Sequence, residues 1–328
     1  MKNLAVSLFL SALIAGCASS EQTSPYKTLG SIEVLDERLH SIIDADARIE
    51  ILAKGFSWSE GPVWVPELNS LLFSDVPQNT VYSWNEEDSI QVFLKPSGHT
   101  GFAPASTGEG SNALALDLDG SLLLCQHGDR RVARLTSFEN RDSFETVVHY
   151  FEGKRFNSPN DIVVKSDGAL LFTDPPYGLA GQDADSLKEI SYSGVYALKD
   201  SVVTLIDSTL TRPNGLALTS DEQIAVAANS DPAIAIWRTY DLSSGESALL
   251  FDATSMVADR PGLPDGLKIN KEGIIFGTGP GGVLILTLEG DHLGTILTNV
   301  PTANCALSPD EKTLYITAND MLLRVALK

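Results

Sequence analysis

A chain of 328 residues, 43% hydrophobic and rich in glycine and proline, has the composition of a folded protein large enough for one extended all-β architecture. Its 43 acidic against 23 basic residues leave a formal net charge of -20, a field that repels polyanions and excludes nucleic acid as a partner. Three cysteines with no CxxC and no Cys/His spacing exclude a thiolate zinc site.

The first element stands apart from the fold. "MKNLAVSLFLSALIAGC" carries one lysine, an apolar run from Leu4 to Ala15 and small residues before Cys17. That run is shorter than the roughly 20 residues a spanning helix needs, and its layout is that of a cleaved export signal over residues 1–16. "IAGC" resembles the bacterial lipobox, which makes Cys17 the lipidated first residue of the mature chain and residues 17–30 a flexible tether. Membrane contact is expected only through that lipid, on the bacterial envelope. The outer membrane is favoured, because Ala18 is not the Asp associated with inner-membrane retention. Residues 31–328 form the folded domain, expected to be a monomer. Cys125 and Cys305 lie in apolar, strand-like runs and are expected as buried thiols rather than a disulfide.

From Ser59 onward the chain is built of six copies: "SEGPVWVPELNSLLFSD", "GSNALALDLDGSLLLCQH", "SPNDIVVKSDGALLFTD", "RPNGLALTSDEQIAVAAN", "LPDGLKINKEGIIFGTG" and "TANCALSPDEKTLYITAN". Each holds a polar residue, a short strand, a turn rich in Asp, Gly, Pro or Asn, and a second strand. Third strands follow ("TVYSW", "RVARL", "GVYAL"), and fourth strands precede the next copy ("SIQVFL", "VVTLID"). Four strands recurring roughly every 40 to 54 residues predict a six-bladed β-propeller with four-stranded blades. The last copy runs out of chain at Lys328, so its fourth strand is assigned to "RIEILA", Arg48 to Ala53. Pairing the N- and C-terminal strands closes the ring and removes an exposed sheet edge.

The polar starts are Glu60, Asn112, Asn160, Asn214, Asp265 and Asn304. Innermost strands line a propeller's channel, so these positions should form a ring. Second strands run back antiparallel and should return Asp75, His127, Asp174, Asn229 and Asn319 to the same mouth. Several carboxylates at close range ionise together only beside a cation. Oxygen donors with a single histidine suit a hard divalent ion, Ca²⁺ foremost, with Mg²⁺, Mn²⁺ or Zn²⁺ admitted. Turn chemistry alone accounts for Asn112 and Asn304 but not for Glu60, since Glu is not a turn former.

At these residues the sequence resembles the SMP-30/gluconolactonase/luciferin-regenerating family, most closely its bacterial gluconolactonase-like branch. The resemblance runs from about Ile49 to the end through "SEGPVW", "SPNDIVVKSDGALLFTDPPYG", "RPNGLALTSDE", "LPDGLKIN" and "CALSPDEKTLYIT", in that order. It implies one catalytic divalent metal in the channel, with Glu60, Asn214 and Asp265 as ligands. Asn160 would ligate it directly or through water, and Asp265 would be the base. Animal members carry a substrate-contacting Arg two residues before the Asn160 position; Ser158 stands there in this chain, with Arg155 near but out of register.

The chemistry so implied is opening of a sugar or aldonic lactone. A cation polarises the carbonyl, Asp265 takes a proton from the attacking water, and Asn112, Asn160, His127 and Arg155 are candidates to bind the substrate. Asp75 and Asp174 are candidates for a supporting shell or a second ion, or for capping the adjacent turns. Arg130 and Arg131 are expected as surface or blade-packing charges. The same constellation would serve an organophosphate or other ester hydrolase, and a non-catalytic envelope-binding propeller is the alternative outside enzymes. No G-x-S-x-G elbow is present, and "GTGPGG" lacks the lysine of a phosphate loop and reads as a blade turn. The loops of residues 97–111 and 179–194 are predicted to overhang the channel as a partial lid.

Overall fold

The protein is described by a computed structural model covering residues 24–104 and 107–328; the export signal, Cys17 and the tether up to residue 23 lie outside the described residues. The copies fold into hairpins because their apolar residues alternate and their turns supply the backbone each reversal needs. In the third copy Ile162 pairs with Phe172 and Val164 with Leu170. Lys165 N–H donates to the Ala169 carbonyl across the turn at 2.8 Å, and Gly168 adopts φ +81°, a conformation that favours glycine.

Six blade sheets result among the described residues, as the repeats predict, beside one two-stranded ribbon of Tyr150–Phe151 and Lys154–Arg155. Blade I comprises Ser59–Val65, Ser70–Asp75, Thr80–Asn85 and Ser89–Leu94, and blade II comprises Ser111–Leu116, Leu122–Gln126, Arg131–Leu135 and Phe144–Val148. Blade III comprises Ile162–Val164, Leu170–Asp174, Gly194–Lys199 and Val202–Asp207; blade IV comprises Pro213–Leu218, Ile224–Asp231, Ile234–Asp241 and Ser247–Asp252. Blade V comprises Leu267–Ile269, Ile275–Gly279, Gly282–Leu286 and His292–Leu297. Blade VI takes Thr302–Leu307, Thr313–Ala318 and Met321–Ala326 from the C-terminus and Ile49–Lys54 from the N-terminus, with Leu323 opposite Ile51. The expected ring closure is therefore present, and Arg324 ties it further by donating to Glu50 Oε2 at 2.7 Å.

The N-terminal segment reaches further into the fold than the repeats reveal. Thr28–Leu29, assigned by sequence to the tether, pairs with Glu50 and Ile49 as a fifth strand of blade VI. Ser31–Val34 then crosses to blade V and pairs with Leu297 to Gly294. Such short strands carry too few residues for a periodic signal.

The core lies between neighbouring blades. Trp237 of blade IV is fully buried against Ile275, Leu284 and Leu286 of blade V. Its indole explains "GTGPGG": a Cβ on Gly279 would lie 2.8 Å from the ring, so the strand facing it must be bare backbone. Cys125 and Cys305 are free and buried, as expected, and burial pushes both thiols up, Cys305 to about 12.

Closure by Ile49–Lys54 generates a stability prediction. A chain beginning at Ser31 should keep a cooperative thermal transition by circular dichroism, whereas one beginning at Phe56, with the Met321–Ala326 edge unpaired, should lose it. An unchanged transition in the shorter chain would show closure to be dispensable.

Candidate active site

The polar starts come together because each sits where its innermost strand enters the sheet. The ladder shifts register there, between Glu60 and Val63 in blade I and between Pro213 and Leu216 in blade IV. Such a bulge re-aims side chains away from the alternation of the strand. The residue after the polar start must let the next blade's strand pass. A Cβ on Gly215 would meet the Asp265 carbonyl oxygen at 2.2 Å, and one on Gly266 would meet the Asn304 side chain at 2.0 Å. The "NG" and "DG" pairs of the sequence are thus requirements of inner-strand packing.

Glu60, Asn112, Asn160, Asn214 and Asp265, from five blades, line one cavity of about 630 Å³ together with His127. Asn304 completes the ring differently. Its Nδ2 donates to Glu60 Oε2 at 3.3 Å while its Oδ1 accepts from Cys305 N–H, so it orients Glu60. Glu60 also accepts from Gly61 N–H at 2.8 Å. Asn214 donates to Ser230 Oγ at 3.0 Å, and Asn160 Nδ2 lies 3.5 Å from His127 Nε2. His127 Nδ1 in turn lies 3.4 Å from Glu109 Oε2. Two acceptors have no partner although sealed from solvent, Asp265 Oδ1 and Asn112 Oδ1.

The electrostatics are those of crowded carboxylates. Burial, and then the charge of Asp161, push Glu60 up to about 7 against the hydrogen bonds it accepts. Asp265 is raised well above the usual carboxylate range by burial first, then by Glu60 and Asp161. Unpartnered buried oxygens and carboxylates that raise one another are what a hard cation would relieve. The donor set of carboxylate and amide oxygens fits such an ion, and among the described residues no cluster of His, Cys, Asp and Glu alone offers another site.

Several expectations are corrected. The second ring does not line the cavity, except for His127. Asp75 accepts from Ser57 and Trp58 N–H at 3.0 and 3.2 Å, and Asp174 from Asn157 and Ser158 N–H at 2.8 and 2.7 Å. These carboxylates clamp the segment leading into the inner strand and face backbone N–H groups outside the cavity. Arg155 lies outside the cavity, since its Nη2 donates to the Asp129 carbonyl at 2.7 Å and its N–H to Glu189 Oε2. Arg130 meets the blade-packing expectation rather than the surface one: it is buried and donates to the Phe156, Asn157 and Leu187 carbonyls. Of the two loops, 97–111 reaches the cavity through Glu109, while 179–194 contributes nothing to its lining.

Sequence reasoning missed four contributors. Asp161 follows Asn160 and spans two blades, accepting from Ile162 and Leu216 N–H at 2.8 and 2.9 Å. Trp58 and Tyr177 form walls, and Arg260 is the only Lys or Arg among the lining residues. Its guanidinium is held by a two-fold hydrogen bond to Glu33, both contacts 2.8 Å. "SPND" is the signal that could have found Asp161, because no other copy has a charge after its polar start.

Fold and site together define a six-bladed propeller with an acidic, amide-lined axial cavity. Residues 58–320 match the family described as SMP-30/Gluconolactonase/LRE-like region, and the chain belongs to that family. It is 39% identical to a gluconolactonase of Zymomonas mobilis over 97% of this chain and 92% of that one. It is 24% identical to a pentonolactonase of Haloferax volcanii, covering 79% and 80% of the two chains. A gluconolactonase structure from Xanthomonas campestris superposes with a TM-score of 0.79 at 26% identity, over 93% of this chain and 99% of that one.

The raised Glu60 sets a pH prediction for chelator-treated protein. Its folded pKa exceeds the ordinary 4.5, so the folded state binds the proton more tightly and unfolding releases it. That contribution to stability is full below about pH 4.5 and is lost as pH rises through about 7. Urea unfolding should show the stability of wild type relative to Glu60→Gln falling across this window; a rise would contradict the assignment.

Proposed function

We propose that this protein is a divalent-cation-dependent lactonase that opens sugar or aldonic lactones in the axial cavity. The observation that carries the reading is the convergence of Glu60 and Asp265 with Asn160 and Asn214 on one cavity, with Asp265 Oδ1 unpartnered. The named lactonase relatives supply the substrate class. Glu60, Asn214 and Asp265, with Asn160 beside them, would hold the cation, Ca²⁺ foremost, which when bound would polarise the lactone carbonyl and stabilise the developing oxyanion.

The chain's own groups do the remaining work. Asp265 presents a carboxylate oxygen free of hydrogen bonds, and its crowded, buried setting raises its affinity for a proton, as suits a base acting on water. Asn304 and Gly61 fix Glu60 so that Asp265 alone is left to move a proton. Asn112 and the Asn160–His127 pair offer donors and acceptors to ring hydroxyls. Trp58, Val76, Pro77, Leu263 and Pro301 form an apolar wall that limits water around the reacting ester. Export and lipid attachment at Cys17 complete the proposal and would put the reaction at the bacterial envelope.

The test follows proton release from D-glucono-1,5-lactone by the Ala18–Lys328 chain. Activity should disappear on chelation and return with Ca²⁺, and Asp265→Asn should lower kcat by ~10²–10⁴, the usual worth of a positioned base. Activity indifferent to both would reject this mechanism.

A further inference from the structure

The axial cavity has more room than the substrate just named fills, and it does not end where the ring ends. At ~30 Å³ per water-sized group, its 630 Å³ has room for about twenty such groups, against about a dozen heavy atoms in a six-carbon lactone. Beside it lies a second cavity of about 470 Å³, and the two share Tyr177, Ser230 and Pro232 as a common wall. The far side of this annexe is polar, formed by Gln182 and Asp183 on one strip and Thr211, Arg212 and Asp231 on the other.

This is where the loop of residues 179–194 goes. Its 3-10 turn Gln182–Ala184 brings Asp183 within 2.5 Å of Arg212 Nη2. Lys188 of the same loop stands 3.7 Å from the other oxygen of Asp183. Arg212 Nη1 donates to the Thr211 carbonyl, and Asp231 accepts from Thr211 Oγ1 at 2.7 Å and from Ala233 N–H at 2.9 Å. Asp183 and Asp231 thus stand with Arg212 on the annexe wall, with Lys188 behind Asp183, so the annexe offers strong donors and strong acceptors side by side. Such a surface suits groups that both donate and accept and carry no charge, which are hydroxyls. A charged or an apolar ligand would waste one half of it.

We propose that the annexe is a carbohydrate subsite and that the preferred substrate is a glycosylated aldonolactone, its lactone ring in the axial cavity and its second sugar against Arg212, Asp183 and Asp231. This deepens the lactonase reading and rests on it for the reaction, but the subsite itself is a binding claim that can be tested without turnover. Tyr177 and Ser230 would stand at the junction of the two sugars. Loop 179–194 then sets substrate length rather than covering the channel.

The experiment compares cellobiono-1,5-lactone with D-glucono-1,5-lactone in wild type, Arg212→Ala and Asp183→Ala. The disaccharide lactone should have a kcat/KM at least tenfold higher. Each variant should lower the ratio of the two kcat/KM values about tenfold, chiefly through KM of the disaccharide. Equal values for the two lactones, or a ratio that neither variant moves, would overturn the subsite. Calorimetry with unreactive cellobiitol separates the two claims. Should neither lactone open, the lactonase reading fails, and binding of cellobiitol that weakens about tenfold in both variants would still uphold the subsite. Absence of such binding would remove it.

Discussion

A four-stranded blade has two raw edges and one apolar face too many, and closing six of them into a ring is the constraint on which the molecule depends. Closure pairs the Met321–Ala326 edge of the last blade with Ile49–Lys54 and buries each blade's face against the next. It also fixes where the six innermost strands begin. They start at one end of one axis, so whatever residue stands at that place in each repeat is forced to meet its five equivalents. The polar ring is a by-product of that geometry. The sequence chooses only the side chains, and it has chosen Glu60, Asn112, Asn160, Asn214, Asp265 and Asn304.

Meeting on an axis is unfavourable for carboxylates. Glu60 is raised by burial and by the charge of Asp161, and Asp265 by burial and by the charges of Glu60 and Asp161. A fold under selection for stability alone would have put apolar residues there. The remaining polar positions limit this conflict. Amides occupy the other ring positions, Asn304 donates to Glu60, and the outer carboxylates Asp75 and Asp174 are turned to backbone N–H groups. Carboxylates crowd without a counter-charge at the place where chemistry is proposed, while Asp75 and Asp174 are held by backbone N–H groups.

This division explains what the sequence could and could not reveal. Repeats are local patterns, so the six blades, the closing strand Ile49–Lys54 and the inner ring were all legible in them. The direction of a side chain at the end of a second strand was not. Asp75 and Asp174 look like ring members in sequence, but a short carboxylate beside two free N–H groups satisfies them before it reaches the axis. Arg155 misled in the same way, by nearness in sequence to Asn160. Arg260 and Glu33 were invisible for another reason. They stand 227 residues apart, in segments outside the repeat, and only the crossing of Ser31–Val34 to blade V brings them together.

The axis has a direction as well as a charge. At the mouth where the inner strands begin, the lining is oxygen-rich and carries Glu60 and Asp265. At the other end, the same six strands line a cavity of Val63, Trp64, Leu116, Val164, Leu218 and Leu307, in which the only ionisable group is Lys268. Asp161 lies between these regions, and Lys268 is the largest influence opposing the rise of its pKa. The two mouths of one channel are therefore unlike to an approaching cation. The first is lined by Glu60, Glu109 and Asp265, with Arg260 held by Glu33; the second is lined by apolar walls and one ammonium.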